Sequence, residues 1–177
     1  MSDVVSPDPV LLGVSLPDQP AGVLRDCLRA AGISSARVTA GPRTPADEAR
    51  EIYDMCRARG VDYANRLYAA PGRQVIAVYR VNQAKAAAAV QMLMENRIRQ
   101  LGPANVSHHC SETIWAQDIG PASIDVSKHR AFLAALAADK RVSKVLSPYG
   151  ETIKDPAFHI EIPKAQFSLP APTPIAT

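Results

Sequence analysis

The sequence contains few aromatic residues, and this scarcity limits the kind of core that it can build. Only 5% of the 177 residues are aromatic, whereas 47% are hydrophobic. We therefore expect a core made mostly of Ala, Val, Leu and Ile. Charged residues make up 21%. The large excess of hydrophobic over charged residues argues against wholesale disorder. The length suits one folded domain with an arm or a tail.

The sequence also lacks a marked excess of one charge. Twenty Lys and Arg residues against 17 Asp and Glu residues give a net charge of +3, which is too small to predict a nucleic-acid partner. No apolar run approaches the roughly 18–20 residues of a membrane span, so no membrane partner is expected. The first residues are acidic and contain no apolar segment, so we expect no signal peptide.

Cysteine is scarce as well. Cys27, Cys56 and Cys110 are odd in number and widely spaced, a pattern that does not indicate a disulfide framework and that favours a reducing compartment. The sequence contains no GxGxxG, no P-loop and no CxxC motif. The dinucleotide, nucleoside triphosphate and thiol-redox sites that these motifs mark are therefore not predicted.

Proline is concentrated at both ends of the chain. Residues 1–19 are predicted to form an N-terminal arm, and residues 164–177 a Pro-rich tail in an extended or polyproline conformation. Both ends suit a solvated terminus, and both also suit an arm that docks on a neighbouring subunit. The folded domain is expected to span residues 20–163.

The hydrophobic periodicity predicts an α+β fold. Helical spacing, N-caps and terminating glycines predict four helices, at 20–31, 45–59, 83–101 and 128–139. Short apolar segments predict four strands, at 36–40, 74–79, 114–119 and 158–162. We expect a small, mostly antiparallel sheet with about four helices packed on it.

Side chains able to carry out chemistry are clustered. One cluster contains His108, His109, Cys110, Glu112 and Asp118, and the other contains Asp155, His159 and Glu161. His159 and Glu161 alternate with apolar residues, which places both on one face of the last predicted strand. Histidine and carboxylate ligands suit a catalytic zinc, which keeps one position open. A histidine on a strand is more often structural than a metal ligand. His129 lies outside both clusters, near the start of a predicted helix, and is predicted to be a surface residue.

The order of the motifs is similar to that of a known enzyme superfamily. The chain contains Thr39-Ala-Gly-Pro-Arg-Thr-Pro45, then Ser107-His-His109, then Asp118, and finally Asp155-Pro-Ala-Phe-His-Ile-Glu-Ile-Pro163. This order resembles the superfamily of zinc D-Ala-D-Ala carboxypeptidases and L-alanyl-D-glutamate endopeptidases, which act on peptidoglycan. The resemblance spans residues 36–163, and its closing segment is most similar to that of phage-borne members.

The resemblance implies a set of site residues. His109, Asp118 and His159 would be the three ligands of a zinc ion (Zn²⁺). Arg43 would anchor a substrate carboxylate, for which a planar guanidinium is well suited. Ser107 would orient the loop that carries the first ligand.

The chain departs from the pattern of the superfamily in the ligand spacing, in the general base and in the glycine that closes Ser-x-His-x-x-Gly, which is absent here. The spacing His109-x8-Asp118 is two residues longer than usual, so Asp125 is a rival ligand. The usual general base lies three residues before the last histidine, where this chain has Pro156. Asp155 and Glu161 are the two alternatives for the proton-transfer role.

The resemblance predicts a phage-associated zinc peptidase that uses metal-activated water to cleave an amide in the stem peptide of peptidoglycan. Such a protein would belong to a phage virion, or to the host cytoplasm with release at lysis, as an endolysin does. The alternative is a non-catalytic virion protein, of the tail or capsid, that retains the fold and docks through its terminal arms. A third hypothesis makes Cys110 a nucleophile with a neighbouring histidine as its base.

Overall fold

The computed structural model describes residues 7–151 and 154–167, which fall into two compact units. Met1–Gly41 and Thr113–Thr177 form one unit, here called the sheet unit. The residues between them, 42–112, form the other, here called the helical unit. The outer part of the predicted arm, residues 1–6, and most of the predicted tail, residues 168–177, lie outside the described residues.

The sheet unit is built on five strands in the spatial order β1-β2-β3-β5-β4. These are β1 (Val10–Gly13), β2 (Ser35–Ala40), β3 (Ile114–Ile119), β4 (Lys144–Leu146) and β5 (Phe158–Pro163). Strand β1 pairs in parallel with β2, and the remaining neighbours pair antiparallel. The sheet is therefore mixed, which corrects the prediction of a mostly antiparallel sheet. The difference arises at Val10–Gly13, which forms a parallel edge strand within the predicted arm.

A helix makes the parallel pairing possible. Parallel strands need a crossover connection, and α1 (Asp18–Ala30) provides it between β1 and β2. Strand β1 ends at Gly13, whose φ of +90° belongs to the left-handed region. A Cβ atom at this position would lie 2.4 Å from the Val38 carbonyl oxygen. Only glycine allows β1 to approach β2 this closely.

Alternating residues of β3 and β5 form the core of the sheet unit. The fully buried residues Phe158, Ile160 and Ile162 pack in one cluster with residues of α1 and of α7 (His129–Ala138). Phe158 meets Phe132 of α7 edge to face at 5.5 Å between ring centroids. Burying each such side chain stabilises the fold by about 1.5–3 kcal/mol. The alternation leaves His159 and Glu161 on the opposite face of β5.

The helical unit contains five α-helices. These are α2 (Pro45–Arg59), α3 (Val61–Leu67), α4 (Ala70–Asn82), α5 (Ala87–Leu101) and α6 (Pro103–Val106). Thr44 begins α2 with a capping box: its side chain accepts a hydrogen bond from the Asp47 amide, and the Asp47 carboxylate accepts one from the Thr44 amide. Ile52, Ile76, Met94 and Ile98 form the centre of a separate core.

The described residues form seven α-helices, not the four predicted. The predicted strand at 74–79 is wrong, because this segment lies inside α4. A short apolar run rich in Val and Ile does not by itself distinguish a strand from a buried helix. Val75, Ile76 and Tyr79 lie on one buried helical face, and Pro71 occupies the first turn. None of the helices in the described part of the chain is long and apolar enough to cross a membrane.

Candidate metal centre

The pairing of β3 with β5 places a histidine between two carboxylates. Asp118 lies directly opposite His159 in the antiparallel register, and Glu161 follows two residues later on the same face. His159 Nδ1 is 2.8 Å from Asp118 Oδ1, and its Nε2 is 3.2 Å from Glu161 Oε1. The sheet therefore brings together three of the predicted site residues.

Two members of this group, His159 and Glu161, are buried, whereas Asp118 is half-buried. His159 is 8% exposed and Glu161 is 6% exposed. Burial by itself lowers the pKa of His159, but the hydrogen bonds and charges of Asp118 and Glu161 outweigh it, so the pKa lies above its ordinary value. Lys144 of β4 pairs with Glu161 in register, with its Nζ 3.1 Å from Glu161 Oε1. Sequence reasoning missed Lys144 because it predicted no strand there.

The helical unit carries the other predicted ligand, His109. After α6, Ser107 takes an extended conformation, and a single 3-10 turn follows over His108–Cys110. The Cys110 amide closes the turn by donating to the Ser107 carbonyl oxygen at 3.0 Å. The His109 carbonyl oxygen accepts a hydrogen bond from the Arg43 amide at 2.8 Å. Arg43, Ser107 and His109 thus belong to one unit, and the backbone ties Arg43 to His109.

The side chain of Arg43 is held by a buried carboxylate. Arg43 Nη1 donates to Glu48 Oε2 at 3.0 Å, and Glu48 is 0% exposed. The Tyr68 hydroxyl donates to the other oxygen, Glu48 Oε1, at 2.7 Å. From the sequence, the only role predicted for Glu48 is a favourable charge interaction with the positive end of α2. Arg43 precedes that helix, so helical spacing does not reveal the pair.

Two other predicted carboxylates are used in local turns. Asp155 Oδ1 accepts a hydrogen bond from the Ala157 amide at 2.8 Å, just before β5. Asp125 is exposed, and its Oδ1 accepts hydrogen bonds from the Ser127 amide at 2.8 Å and the Ser127 hydroxyl at 2.7 Å. Of the two rival aspartates, the structure places Asp118 against His159.

His129 is buried, so the prediction that it lies on the surface is wrong. Its Nδ1 is 2.6 Å from the Tyr149 hydroxyl, and its Nε2 is 3.1 Å from the carbonyl oxygens of both Pro121 and Ile124. Carbonyl oxygens only accept, so Nε2 donates to them. The ring meets Phe158 edge to face at 5.1 Å. These partners give His129 a structural role that its position early in a helix did not indicate.

The described residues include groups of histidine, aspartate and glutamate side chains that could hold a metal ion. Asp118, His159 and Glu161 belong to the sheet unit, and His108 and His109 belong to the helical unit. Imidazole nitrogens and carboxylate oxygens are ligands that zinc accepts. The chemistry of these donors therefore fits a zinc ion.

Comparisons with known proteins do not place the chain in a family. No family model, no curated protein and no solved structure matches it. Its function is therefore proposed from its side chains, their contacts and the order of its motifs.

Proposed function

We propose that this chain is a zinc-dependent peptidase that cleaves an amide in the stem peptide of bacterial peptidoglycan. His109, Asp118 and His159 are the proposed zinc ligands. The observation that carries the proposal is the contact between Asp118 and His159 on adjacent strands, 2.8 Å apart. The resemblance of the motif order to the zinc D-Ala-D-Ala carboxypeptidase superfamily supplies His109 and the substrate class.

The surroundings of His159 suit a metal ligand. Its two ring nitrogens face different carboxylates, Nδ1 toward Asp118 and Nε2 toward Glu161. A metal-ligating histidine commonly donates its other N–H to a carboxylate, which fixes the tautomer and the ring orientation. Glu161 takes this role when Nδ1 faces the metal, and Lys144 holds Glu161 in turn.

The remaining residues position the substrate and move protons. When bound, zinc supplies a Lewis acid that polarises a carbonyl group and lowers the pKa of water. Glu161 touches a proposed ligand, whereas Asp155 uses a carboxylate oxygen to close its own turn. Proton transfer is proposed for Asp155 or Glu161, the two carboxylates that the sequence offers for it. Arg43 binds a carboxylate of the substrate, and Ser107 shapes the turn that carries His109.

The alternative with Cys110 as the nucleophile receives no support from the site. Its Sγ is 3.7 Å from the Thr44 carbonyl oxygen, and burial raises the pKa of the thiol to about 12. A thiol with this pKa is almost wholly protonated near neutral pH, whereas the thiolate is the nucleophile. A hydrolytic mechanism through Cys110 is therefore not proposed.

The metal content of the purified protein tests the ligand set. We expect about one zinc ion per chain by mass spectrometry. The variants His109→Ala and Asp118→Asn should lose it, whereas His108→Ala should retain it. Circular dichroism shows whether each variant is folded. Retention of zinc by folded His109→Ala, or its loss only in His108→Ala, would contradict the proposed ligands.

A hydrolysis assay then tests the activity. Zinc-loaded protein should release peptide fragments from purified peptidoglycan, and the two ligand variants should not. Glu161→Gln should lower kcat even at saturating zinc if Glu161 transfers the proton. Protein that binds no zinc after supplementation, and that hydrolyses no peptidoglycan, would favour the alternative of a non-catalytic phage virion protein. Its presence in purified virions would then be the next measurement.

A further inference from the structure

The helical unit contains a buried charged cluster that the proposed zinc ligands leave unexplained. At its centre is Glu48, which has no exposed side-chain surface. Burying a carboxylate is costly unless it is both paired and hydrogen-bonded. Arg43 provides the charge and Tyr68 the second hydrogen bond, one to each carboxylate oxygen. An ion pair of this kind does not by itself indicate stability, because apolar residues of similar volume often serve as well.

Tyr68 is fixed in place from several sides. It follows the last residue of α3, and its carbonyl oxygen accepts a hydrogen bond from Arg73 Nη1 at 3.2 Å. Gly72 of α4 makes room for its ring, since a Cβ atom there would lie 2.4 Å from Tyr68 Cδ1 and 2.7 Å from Tyr68 Cβ. Burial and the Glu48 carboxylate raise the pKa of Tyr68. Its hydroxyl therefore stays protonated and donates to Glu48.

Arg43 is held at both its backbone and its side chain. Its amide donates a hydrogen bond to the carbonyl oxygen of His109, a proposed zinc ligand, and its guanidinium donates one to the Glu48 carboxylate. Burial by itself lowers the pKa of Arg43, but Glu48 outweighs it and raises the pKa. A guanidinium has five N–H donors in a rigid fork. The hydrogen bond to Glu48 uses Nη1, and the exposed Glu51 Oε2 lies 3.8 Å from Nη2, too far for a hydrogen bond, so donors are left for an anion.

We propose that Glu48 and Tyr68 are positioning residues that hold the guanidinium of Arg43 for a free carboxylate of the substrate. The inference rests on the proposed function for the identity of that substrate. Fixing the fork before binding reduces the conformational entropy that is lost when the carboxylate binds. The arrangement therefore favours substrates with a carboxylate close to the cleaved amide, such as a peptide ending in D-alanine.

The test compares a substrate that has this carboxylate with one that lacks it. Zinc-loaded full-length protein is assayed on N-acetyl-D-alanyl-D-alanine and on its C-terminal amide. Glu48→Gln preserves shape and removes the charge. We expect it to raise KM for the acid about tenfold, the loss expected for a charged hydrogen bond. The kcat for the acid and the KM for the amide should change by less than about twofold.

Two further variants separate positioning from a general effect. Glu51→Gln makes the same chemical change at an exposed carboxylate 3.8 Å from Arg43, and it should change KM by less than about twofold. Tyr68→Phe keeps the ion pair and removes one hydrogen bond to Glu48, so it should raise KM for the acid by a smaller factor. It also provides the test if Glu48→Gln fails to fold.

If Glu48→Gln raised KM equally for the acid and the amide, the inference would be overturned. It would also be overturned if Glu51→Gln raised KM for the acid as much as Glu48→Gln does. If the wild-type protein hydrolyses neither peptide, the proposed function fails for this substrate. Calorimetric binding of the same two peptides then tests the inference separately. Preferential binding of the acid that Glu48→Gln weakens would support positioning, and wild-type protein without that preference would refute it.

Discussion

Gln117 lies in the core of the sheet unit, where a polar side chain is unusual. It precedes Asp118 on β3, is 0% exposed, and lies opposite Ile160 of β5. Neither its Oε1 nor its Nε2 has a partner among the described residues. An unsatisfied buried polar group costs about 1–3 kcal/mol of folding free energy. We therefore predict that Gln117→Met, which keeps the length of the side chain, raises the free energy of unfolding by about 1–3 kcal/mol.

Urea unfolding measures this effect. The midpoint should shift to higher urea with an unchanged m-value, because the surface exposed on unfolding stays nearly the same. The melting temperature should rise by roughly 2–4 °C per kcal/mol for a chain of this size. Gln83→Met is the matched control, since Gln83 is exposed, and it should change stability by less than about 0.5 kcal/mol. An unchanged or lower stability of Gln117→Met would refute the reasoning, since it would show that the amide finds partners in solution.

Three further predictions concern the two units. Gly13→Ala should destabilise the fold by more than about 1 kcal/mol in urea, because of its positive φ. Gly22→Ala should be neutral or stabilising, because open space surrounds Gly22. A loss of stability in Gly22→Ala as large as that in Gly13→Ala would contradict this reasoning. Thr44→Ala should cost about 1 kcal/mol of cap stability by thermal unfolding, and Thr44→Ser should restore it. The hydrogen bond from Arg141 lowers the pKa of Asp139 below its ordinary value. The stability that the ionised Asp139 contributes is therefore lost as pH falls below about 4. Urea midpoints between pH 6 and 3 should show this loss, and Arg141→Gln should reduce it.

The elements that local signals specify were predicted well. The bounds of α2 at 45–59 and β3 at 114–119 are those that the sequence predicts. Thr44 and Pro45 mark the start of that helix with a cap and a fixed φ. Alternation along Phe158–Ile162 predicted a strand with His159 and Glu161 on one face, and the structure confirms this placement.

The elements that depend on distant partners were missed. The strand β1 is short, and its parallel partner begins at Ser35, beyond a whole helix. Asn82 was predicted to begin a helix, but its side-chain amide donates to the Val78 carbonyl oxygen at 2.8 Å, and α5 begins at Ala87. Residues 83–86, between the two helices, all have high helix propensity. Packing therefore decides where α4 ends and α5 begins.

The same limit applies to the candidate site. The motif order singled out Asp118 and His159, and their contact depends on a register that sequence alone leaves open. The partners Glu48, Tyr68 and Lys144 carry no motif, because their roles arise from packing. Sequence patterns thus predicted residues that could bind a metal, and the structure adds the residues that hold some of them in place.

The strands β2 and β3 are neighbours in the sheet, yet the whole of residues 42–112 separates them along the chain. This insertion affects the order of folding. Joining β2 to β3 closes a long loop, and distant contacts of this kind slow folding. The helices of the insertion contact one another locally and have their own core. Their early formation would shorten the effective loop, so mutations in that core should slow the assembly of the sheet as well.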